Sequence, residues 1–310
     1  MKRLLLSVAM IALFPGLWKA GMVRAAGEDG QSAAALAQQS ANNPADYVGS
    51  DTCATCHADE ATNFAANPHS RLALMHGGKG VTCESCHGPG KAHVDSGGDP
   101  TKVVFRFTKM TSAQIDVRCL TCHAAAHPNF ERSSHGMAGV DCLSCHSIHK
   151  FKSEADLLKV AQPQLCENCH ADVKLAFSQP FHHPVEEGQL KCTDCHDPHG
   201  SFQSNQLQST ADQNLICTKC HTETAGPFVY EHPVLKTEGC TFCHSPHGSP
   251  NPRMLKVSNV NTLCLQCHSA SMNFTAPGAP SFHNQAAQYQ ACTICHTQIH
   301  GSNASDIFFK

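Results

Sequence analysis

The 310-residue sequence is short of the material from which globular cores are made. Phe, Trp and Tyr supply 6% of it, Trp occurs once, and the 41% hydrophobic fraction includes 20 cysteines. An ordinary apolar core is therefore not encoded. Charged residues are 15% and the formal charge is -3, which excludes a basic nucleic-acid binder. Beyond the first 17 residues no segment is long and apolar enough to span a bilayer as a helix. Seventeen prolines and 21 glycines break up long regular elements. In place of a core the chain has 20 cysteines and 23 histidines, which implies covalent cross-links or metal ligands.

The N-terminus has the three parts of a secretory signal. Lys2 and Arg3 precede an apolar run from Leu4 to Leu17, broken late by Pro15 and Gly16, and Val23-Arg24-Ala25 fits a small-x-Ala cleavage site. A membrane anchor is the alternative, but the run falls short of the ~20 apolar residues a spanning helix needs. Cleavage after Ala25 removes four of the 22 basic residues and none of the 25 acidic ones, which takes the formal charge from -3 to -7. It also removes Trp18. The expectation is a periplasmic protein with signal peptide 1–25, a polar linker 26–46 and a folded region 47–310.

Every cysteine belongs to a Cys-x-x-Cys-His pentad. The cysteine pairs are Cys53 and Cys56, Cys83 and Cys86, Cys119 and Cys122, Cys142 and Cys145, and Cys166 and Cys169. They continue with Cys192 and Cys195, Cys217 and Cys220, Cys240 and Cys243, Cys264 and Cys267, and Cys292 and Cys295. The histidines that close them are His57, His87, His123, His146, His170, His196, His221, His244, His268 and His296. A disulfide scaffold or a zinc ribbon explains paired cysteines but not the invariable histidine. At this histidine frequency ten such coincidences have a probability of about 10⁻¹¹, so the pattern is read as c-type haem attachment. The two thiols form thioethers with the haem vinyl groups, and the adjacent histidine supplies one axial nitrogen to the iron. Ten covalent haem c groups are expected.

Thirteen histidines remain, enough to close ten irons with a second ligand. The pentads group in pairs, with a free histidine between the two members and another shortly after the second. The later position holds His93, His149, His199, His247 and His300. The intervening position holds His232 and His283 without competitors. His69 is favoured over His76 because it follows His57 by 12 residues, as His135 follows His123, and the same spacing favours His135 over His127. His183 is favoured over His182 because His183-Pro184-Val185 matches His232-Pro233-Val234. A histidine three residues past a proximal one cannot easily reach the far face of the same ring, so it is expected to serve the other haem of its pair or a neighbour. Met75, Met110, Met137, Met254 and Met272 show no repeat and are read as packing residues.

The odd-numbered pentads begin at residues 53, 119, 166, 217 and 264, which predicts five dihaem repeats at about 47–110, 111–160, 161–210, 211–258 and 259–310. The first is longer, with an insertion near Gly97 to Lys109. Thr111-Ser112-Ala113-Gln114 resembles a capping box opening a helix into Cys119, and Ser153 is expected to cap another through Val160. The expected fold is a multihaem cytochrome c: mostly loops, short α-helices packed on a chain of ten haems, elongated, with little or no β-sheet.

The pentad count, the paired free histidines and strings such as Cys83-Glu84-Ser85-Cys86-His87-Gly88-Pro89-Gly90 resemble the DmsE/MtrA-type decahaem c-type cytochromes, with the MtoA proteins of iron oxidisers alongside. The resemblance runs from about Tyr47 to the C-terminus. It implies a bis-histidine haem wire inserted in an outer-membrane β-barrel porin, moving electrons between the periplasm and the cell exterior for mineral reduction or iron oxidation. It also implies periplasmic or inner-membrane quinol-linked cytochromes and an extracellular multihaem cytochrome as partners. A closed iron exchanges electrons but offers no place for a substrate, so an electron-transfer protein is expected rather than an enzyme. The alternatives are a free periplasmic electron carrier or store, and a multihaem oxidoreductase with one open haem.

Overall fold

A computed structural model describes residues 43–75, 80–151, 156–208, 212–268 and 291–309. The expectations for the signal peptide, most of the linker, His76, Ser153 and His283 fall outside the described residues.

The pentad spacing dictates the local structure. Positions i, i+3 and i+4 share one face of a helical turn, so both thiols and the imidazole project together. Each of these turns is short. In the first member of each unit it lies in α1 (Ser50–Ala54), α6 (Ser112–His123), α9 (Gln164–Glu167), α11 (Asn214–Thr218) and α13 (Val260–His268). In the second member it is α4 (Cys83–His87), α8 (Cys142–Cys145), or a single 3-10 turn at Cys192–Asp194, Cys240–Phe242 and Cys292–Ile294. The histidine N–H donates to the first cysteine's carbonyl across the turn, as from His146 to Cys142 at 2.9 Å and from His296 to Cys292 at 3.0 Å.

The remaining helices connect these turns: α2 (Ala58–Ala65), α3 (Pro68–Met75), α5 (Lys91–Asp95), α7 (Ser134–Met137), α10 (Ala171–Phe177) and α12 (Val234–Thr237). The capping box expected at Thr111 is present in both halves. The Gln114 N–H donates to Thr111 Oγ1 at 3.3 Å, and the Thr111 N–H donates to Gln114 Oε1 at 2.9 Å. The helix expected through Val160 does not form over the described residues 156–160. Leu157 there has φ +52°, outside the right-handed helical region, because the chain turns back to bridge His146 with Leu158.

That bridge is one case of a recurring return. The Ser147 N–H donates to Leu157 O at 2.8 Å, Asp197 to Gln206 O at 2.7 Å, and Ser245 to Met254 O at 2.8 Å. In the first unit the insertion plays this part, with the Phe105 N–H on His87 O at 3.0 Å. The return places Phe105, 1% exposed, under the Arg118 guanidinium, which sits 4.0 Å over the Phe105 ring and donates to Ser85 O at 2.6 Å. Glu84 completes this corner. Its buried carboxylate accepts from the N–H groups of Val48, Gly49 and Gly90 at 2.8–3.0 Å.

Among the described residues only Phe105, Ile115, Phe130, Leu157, Phe177 and Val185 form a buried apolar core. Sheet is limited to an antiparallel pair, β1 (Tyr230–Glu231) and β2 (Gly301–Ser302), joined Tyr230 to Ser302 and Glu231 to Gly301. The pair joins the fourth unit to the fifth. An isolated bridge between Phe181 and Ser249 occupies the corresponding place between the third and fourth.

Backbone approaches backbone closely at these junctions, at a glycine just after the later free histidine. Gly200 has φ +109°, and a Cβ there would stand 2.9 Å from Ser133 Cβ and 3.0 Å from Asn129 O. Both the left-handed conformation and the crowding oppose a side chain. Gly200→Ala is therefore expected to destabilise the protein by about 2–4 kcal/mol. A guanidinium midpoint for the haem-loaded variant equal to wild type would refute this.

Candidate metal centres

Ten of the ring contacts between histidines fall at a narrow spacing, and nine of them pair a pentad histidine with one of the expected free ones. In the first unit His57 faces His93 with ring centres 6.2 Å apart. His87 faces His149 at 6.2 Å, and His123 faces His69 at 5.8 Å. His146 faces His199 at 6.0 Å, His170 faces His135 at 6.1 Å, and His196 faces His247 at 5.9 Å. His221 faces His183 at 6.2 Å, His244 faces His300 at 6.3 Å, and His268 faces His232 at 6.2 Å. His296 faces none of the described free histidines, and the expected His283 lies outside the described residues.

The spacing can be tested against a shared ion. Two metal–nitrogen bonds of about 2.0 Å, plus roughly 1.1 Å from each nitrogen to its ring centre, separate two ligand rings by about 6.2 Å. All nine pairs lie between 5.8 and 6.3 Å, too far for imidazole contact and right for one ion between them.

Hydrogen bonds fix which nitrogen is free. A carbonyl can only accept, so a ring whose Nδ1 meets one carries its proton there and presents Nε2 as a lone pair. Nδ1 of each second-pentad histidine donates to the returning loop. The acceptors are Phe105 O at 3.4 Å for His87, Asp156 O at 2.6 Å for His146 and Asn205 O at 2.8 Å for His196. For His244 the acceptor is Arg253 O at 2.8 Å, and for His296 it is Ile307 O at 2.6 Å. The loops bend through non-glycine residues at positive φ beside these carbonyls: Leu157, Asn205, Gln206, Arg253, Met254 and Phe308. Backbone strain is thus concentrated where an imidazole is oriented.

The intervening histidines bond across the junctions. Nδ1 of His135 donates to Pro198 O at 3.0 Å, that of His183 to Pro246 O at 2.6 Å, and that of His232 to Ile299 O at 2.9 Å. Each acceptor is the residue just before the next unit's later histidine.

Burial favours the neutral ring, the ligand form. It pushes His69, His87, His232, His247 and His300 below the ordinary imidazole value. His199 is pushed down to about 4 by burial, with His127 beside it adding to the shift. Of the two described spare histidines, His182 is engaged otherwise, whereas His127 also stands at the paired spacing from His123. The His182 ring bonds to Glu187 at 3.0 Å and Gln179 O at 2.5 Å, and the Glu187 contact raises its pKa. His127 stacks on His199 with centres 4.0 Å apart, and its ring centre lies 6.2 Å from that of His123.

The thiols follow the same alternation. First cysteines meet within a unit, as Cys53 with Cys83, Cys119 with Cys142 and Cys217 with Cys240. Second cysteines face each other across junctions, as Cys145 with Cys169 and Cys243 with Cys267. The described cysteines form no disulfide. Among the described residues no three of His, Cys, Asp or Glu converge on one point, so the zinc-ribbon alternative has no ligand set.

One set of residues escaped the sequence reading. The residue three before a unit's first cysteine accepts from the backbone N–H that opens the second pentad. Ser50 Oγ accepts from Cys83 at 3.3 Å and Asp116 Oδ1 from Cys142 at 3.0 Å. Asn214 and Asn261 accept from Cys240 and Cys292, both at 2.8 Å. The third unit has Pro163 at this place, and Gln162 bonds Thr193 instead, with Nε2 donating to Thr193 Oγ1 at 3.1 Å. A polar residue at one offset in four of five units was the available signal.

The comparisons agree with this organisation. A family profile for the doubled CXXCH motif matches residues 135–175, 182–226 and 232–273, and one for cytochrome c554 and c-prime matches residues 98–147. The multiheme cytochrome MtrA of Shewanella baltica is 33% identical over 266 residues, covering 82% of this chain and 79% of that protein. The chain belongs to the MtrA-type multihaem c-type cytochromes. Its pentads hold covalent c-type haem, and its activity is electron transfer through those haems. The C-type polyheme cytochrome OmcC of Geobacter sulfurreducens is 26% identical over 224 residues, and the chain spans 26% of that longer protein. The cytochrome c-type protein NrfB of Escherichia coli O6:H1 is 26% identical over 152 residues, covering 45% of this chain and 73% of NrfB.

The lowered imidazole values set a pH dependence. An unfolded histidine titrates near 6.5, so between that value and about 4 the unfolded state binds more protons than the folded one. The stability these rings contribute is full above pH ~6.5 and is lost as pH falls toward 4. Acidification over that window is expected to lower the thermal midpoint and to change the visible haem bands together. Bands and midpoint both constant down to pH 4 would sink this expectation.

Proposed function

We propose that this MtrA-type cytochrome is a conductor of ten haems, each iron held between two histidines. The twenty pentad cysteines hold the rings as thioethers. The histidines that would hold each iron are His57 with His93, His87 with His149, His123 with His69, His146 with His199 and His170 with His135. They continue as His196 with His247, His221 with His183, His244 with His300 and His268 with His232; for His296 the sequence expects His283, which lies outside the described residues. The observation that carries the reading is the set of nine ring pairs spaced for one shared ion, with Nδ1 turned away onto carbonyls.

When bound, c-type haem iron supplies a one-electron couple. The residues of this chain determine what that couple can do. Two imidazoles close each iron to substrates, which favours electron exchange over ligand chemistry. Imidazole pairs also set lower potentials than a His/Met pair. Carbonyl bonds at Nδ1 lock the direction of the five second-pentad rings and of His93, His135, His183 and His232, and raise their basicity as ligands. The pairing passes from each unit to the next in chain order, so the haems form one ordered series from the first unit to the fifth.

The series is proposed to run within an outer-membrane β-barrel porin. It would connect periplasmic quinol-linked cytochromes with an extracellular multihaem cytochrome or mineral. Identity with MtrA over most of both chains supports this placement. Among the described residues no helix is long and apolar enough to cross a membrane, so the barrel would supply the lipid-facing surface.

Carbon monoxide and paramagnetic resonance test the coordination. The reduced protein is expected to bind no carbon monoxide. The oxidised protein is expected to show only low-spin signals, in two groups. Near-parallel rings such as His146 and His199, at 15°, belong to one group, and the steep pair His69 and His123, at 77°, to the other. A high-spin haem in native protein would overturn the closed-iron reading and revive an oxidoreductase. Solubilised outer membranes should yield the cytochrome together with a β-barrel. Recovery in the free periplasmic fraction alone would favour a soluble carrier.

A further inference from the structure

Adjacent units are joined by the same device at three junctions. His135, His183 and His232 each donate Nδ1–H directly to the carbonyl preceding the next unit's later histidine. The first junction lacks that direct bond. His69 Nδ1 meets Asn67 Oδ1 at 2.9 Å, and Asn67 Nδ2 donates to Ile148 O at 2.7 Å. Ile148 precedes His149 as Pro198 precedes His199. The amide of Asn67 is thus inserted between the imidazole and the carbonyl that meet directly elsewhere.

Three observations make this insertion a built feature. Asn67 is completely buried, at 0% exposure. Both ends of its amide are engaged, since Oδ1 also accepts from the His69 N–H at 2.8 Å. A flipped amide would set N–H against N–H and carbonyl against carbonyl, so the partners fix its orientation. The residue after the later histidine also differs. Gly200 and Gly248 let backbones close up at two of the other junctions and Gly301 admits the Phe228 ring at the third, whereas Lys150 stands at this one. A side-chain relay spans a separation that a Cβ at that place would impose.

We infer that Asn67 is a positioning residue for two irons. It orients His69 toward the third pentad's iron and, through the same amide, holds the Ile148–His149 segment against the second pentad. Aspartate could accept from His69 but could not donate to Ile148 O, and alanine could do neither. The inference rests on the proposed ligand pairs, so the test includes a variant that addresses those pairs alone.

The full-length haem-loaded protein is prepared as wild type, His69→Ala, Asn67→Ala, Asn67→Asp and the double variant Asn67→Ala/His69→Ala. Haem content of each is counted as the pyridine haemochrome. Carbon monoxide uptake by the reduced protein and low-spin resonances of the oxidised protein are then recorded. His69→Ala is expected to take up one more equivalent of carbon monoxide per chain than wild type and to lose one low-spin signal. Asn67→Ala, at full haem content, is expected to gain uptake at that same haem and to shift its low-spin signal. The double variant should add no equivalent at the third pentad's haem beyond His69→Ala. Asn67→Asp keeps the acceptor for His69 but breaks the donor side, so its low-spin spectrum should change as well. Wild-type uptake and spectra in Asn67→Ala would overturn the role of Asn67 while leaving the ligand pairs intact. If that variant does not accumulate with haem, a wild-type spectrum in Asn67→Asp overturns it equally. No uptake by His69→Ala would overturn the His69–His123 pairing and this inference together.

Discussion

The rest of this molecule depends on which nitrogen of each imidazole is occupied. A histidine offers a metal one nitrogen only after the other has been committed. Here the commitment is made to main-chain carbonyls, by Nδ1 of all five second-pentad histidines and of His93, His135, His183 and His232. Carbonyls cost no residue identity, so the surrounding loops vary freely in sequence. Phe105, Asp156, Asn205, Arg253 and Ile307 have nothing in common except a carbonyl brought to one place. What they share is a returning chain that tolerates a left-handed residue at or next to the acceptor in the last four units.

That constraint explains how a chain with six buried apolar side chains among its described residues specifies a fold. Contacts within a unit and contacts between units are made by different groups. Within a unit, the first cysteines meet and a polar residue before the pentad caps the second turn, as Asn214 caps Cys240. Between units, the intervening histidine reaches forward to the next unit's first pentad, as His183 does to His221. The later histidine reaches back to the preceding second pentad, as His247 does to His196. Each junction is therefore crossed twice, in opposite directions. In the first unit the later histidine does not reach another unit's pentad: His93 faces His57 of its own unit.

Much of this was legible in the sequence because the chemistry is local. The pentad is a single helical turn, and its spacing fixes which side chains share a face before any tertiary contact forms. The capping box at Thr111 and Gln114 was legible for the same reason. Residues 156–160 show where local reading fails. The stretch toward Val160 has an acceptable helical composition, but it is used to carry Asp156 O to His146, and the bridge to Leu158 overrides propensity. The choice of His183 over His182 rested on a three-residue match. Its physical reason is the commitment of His182 to Glu187 and Gln179, which no spacing rule contains. Which free histidine faces which pentad was illegible, because His69 and His123 are 54 positions apart and their pairing is a property of the junction.

The first unit departs from the other four, and its departures share one cause. Its pentads stand 30 residues apart and its insertion follows His93, so the returning chain reaches His87 from Phe105, 18 residues on, rather than from nine to 11 residues on as in the others. The longer path carries its own support: the Arg118 guanidinium over Phe105, the Glu84 carboxylate on three N–H groups, and the His87 ring edge-on to Phe107 at 5.3 Å. With His93 turned inward, the imidazole pairs that join this unit to its neighbour are those of His69 and His149. The completely buried side chain that joins those two segments is Asn67. A buried amide bonded at both its oxygen and its nitrogen tolerates little displacement, because a shift strands a donor or an acceptor away from water. The least regular unit is therefore attached through the least forgiving contact, which fixes its position as firmly as direct imidazole–carbonyl bonds fix the others.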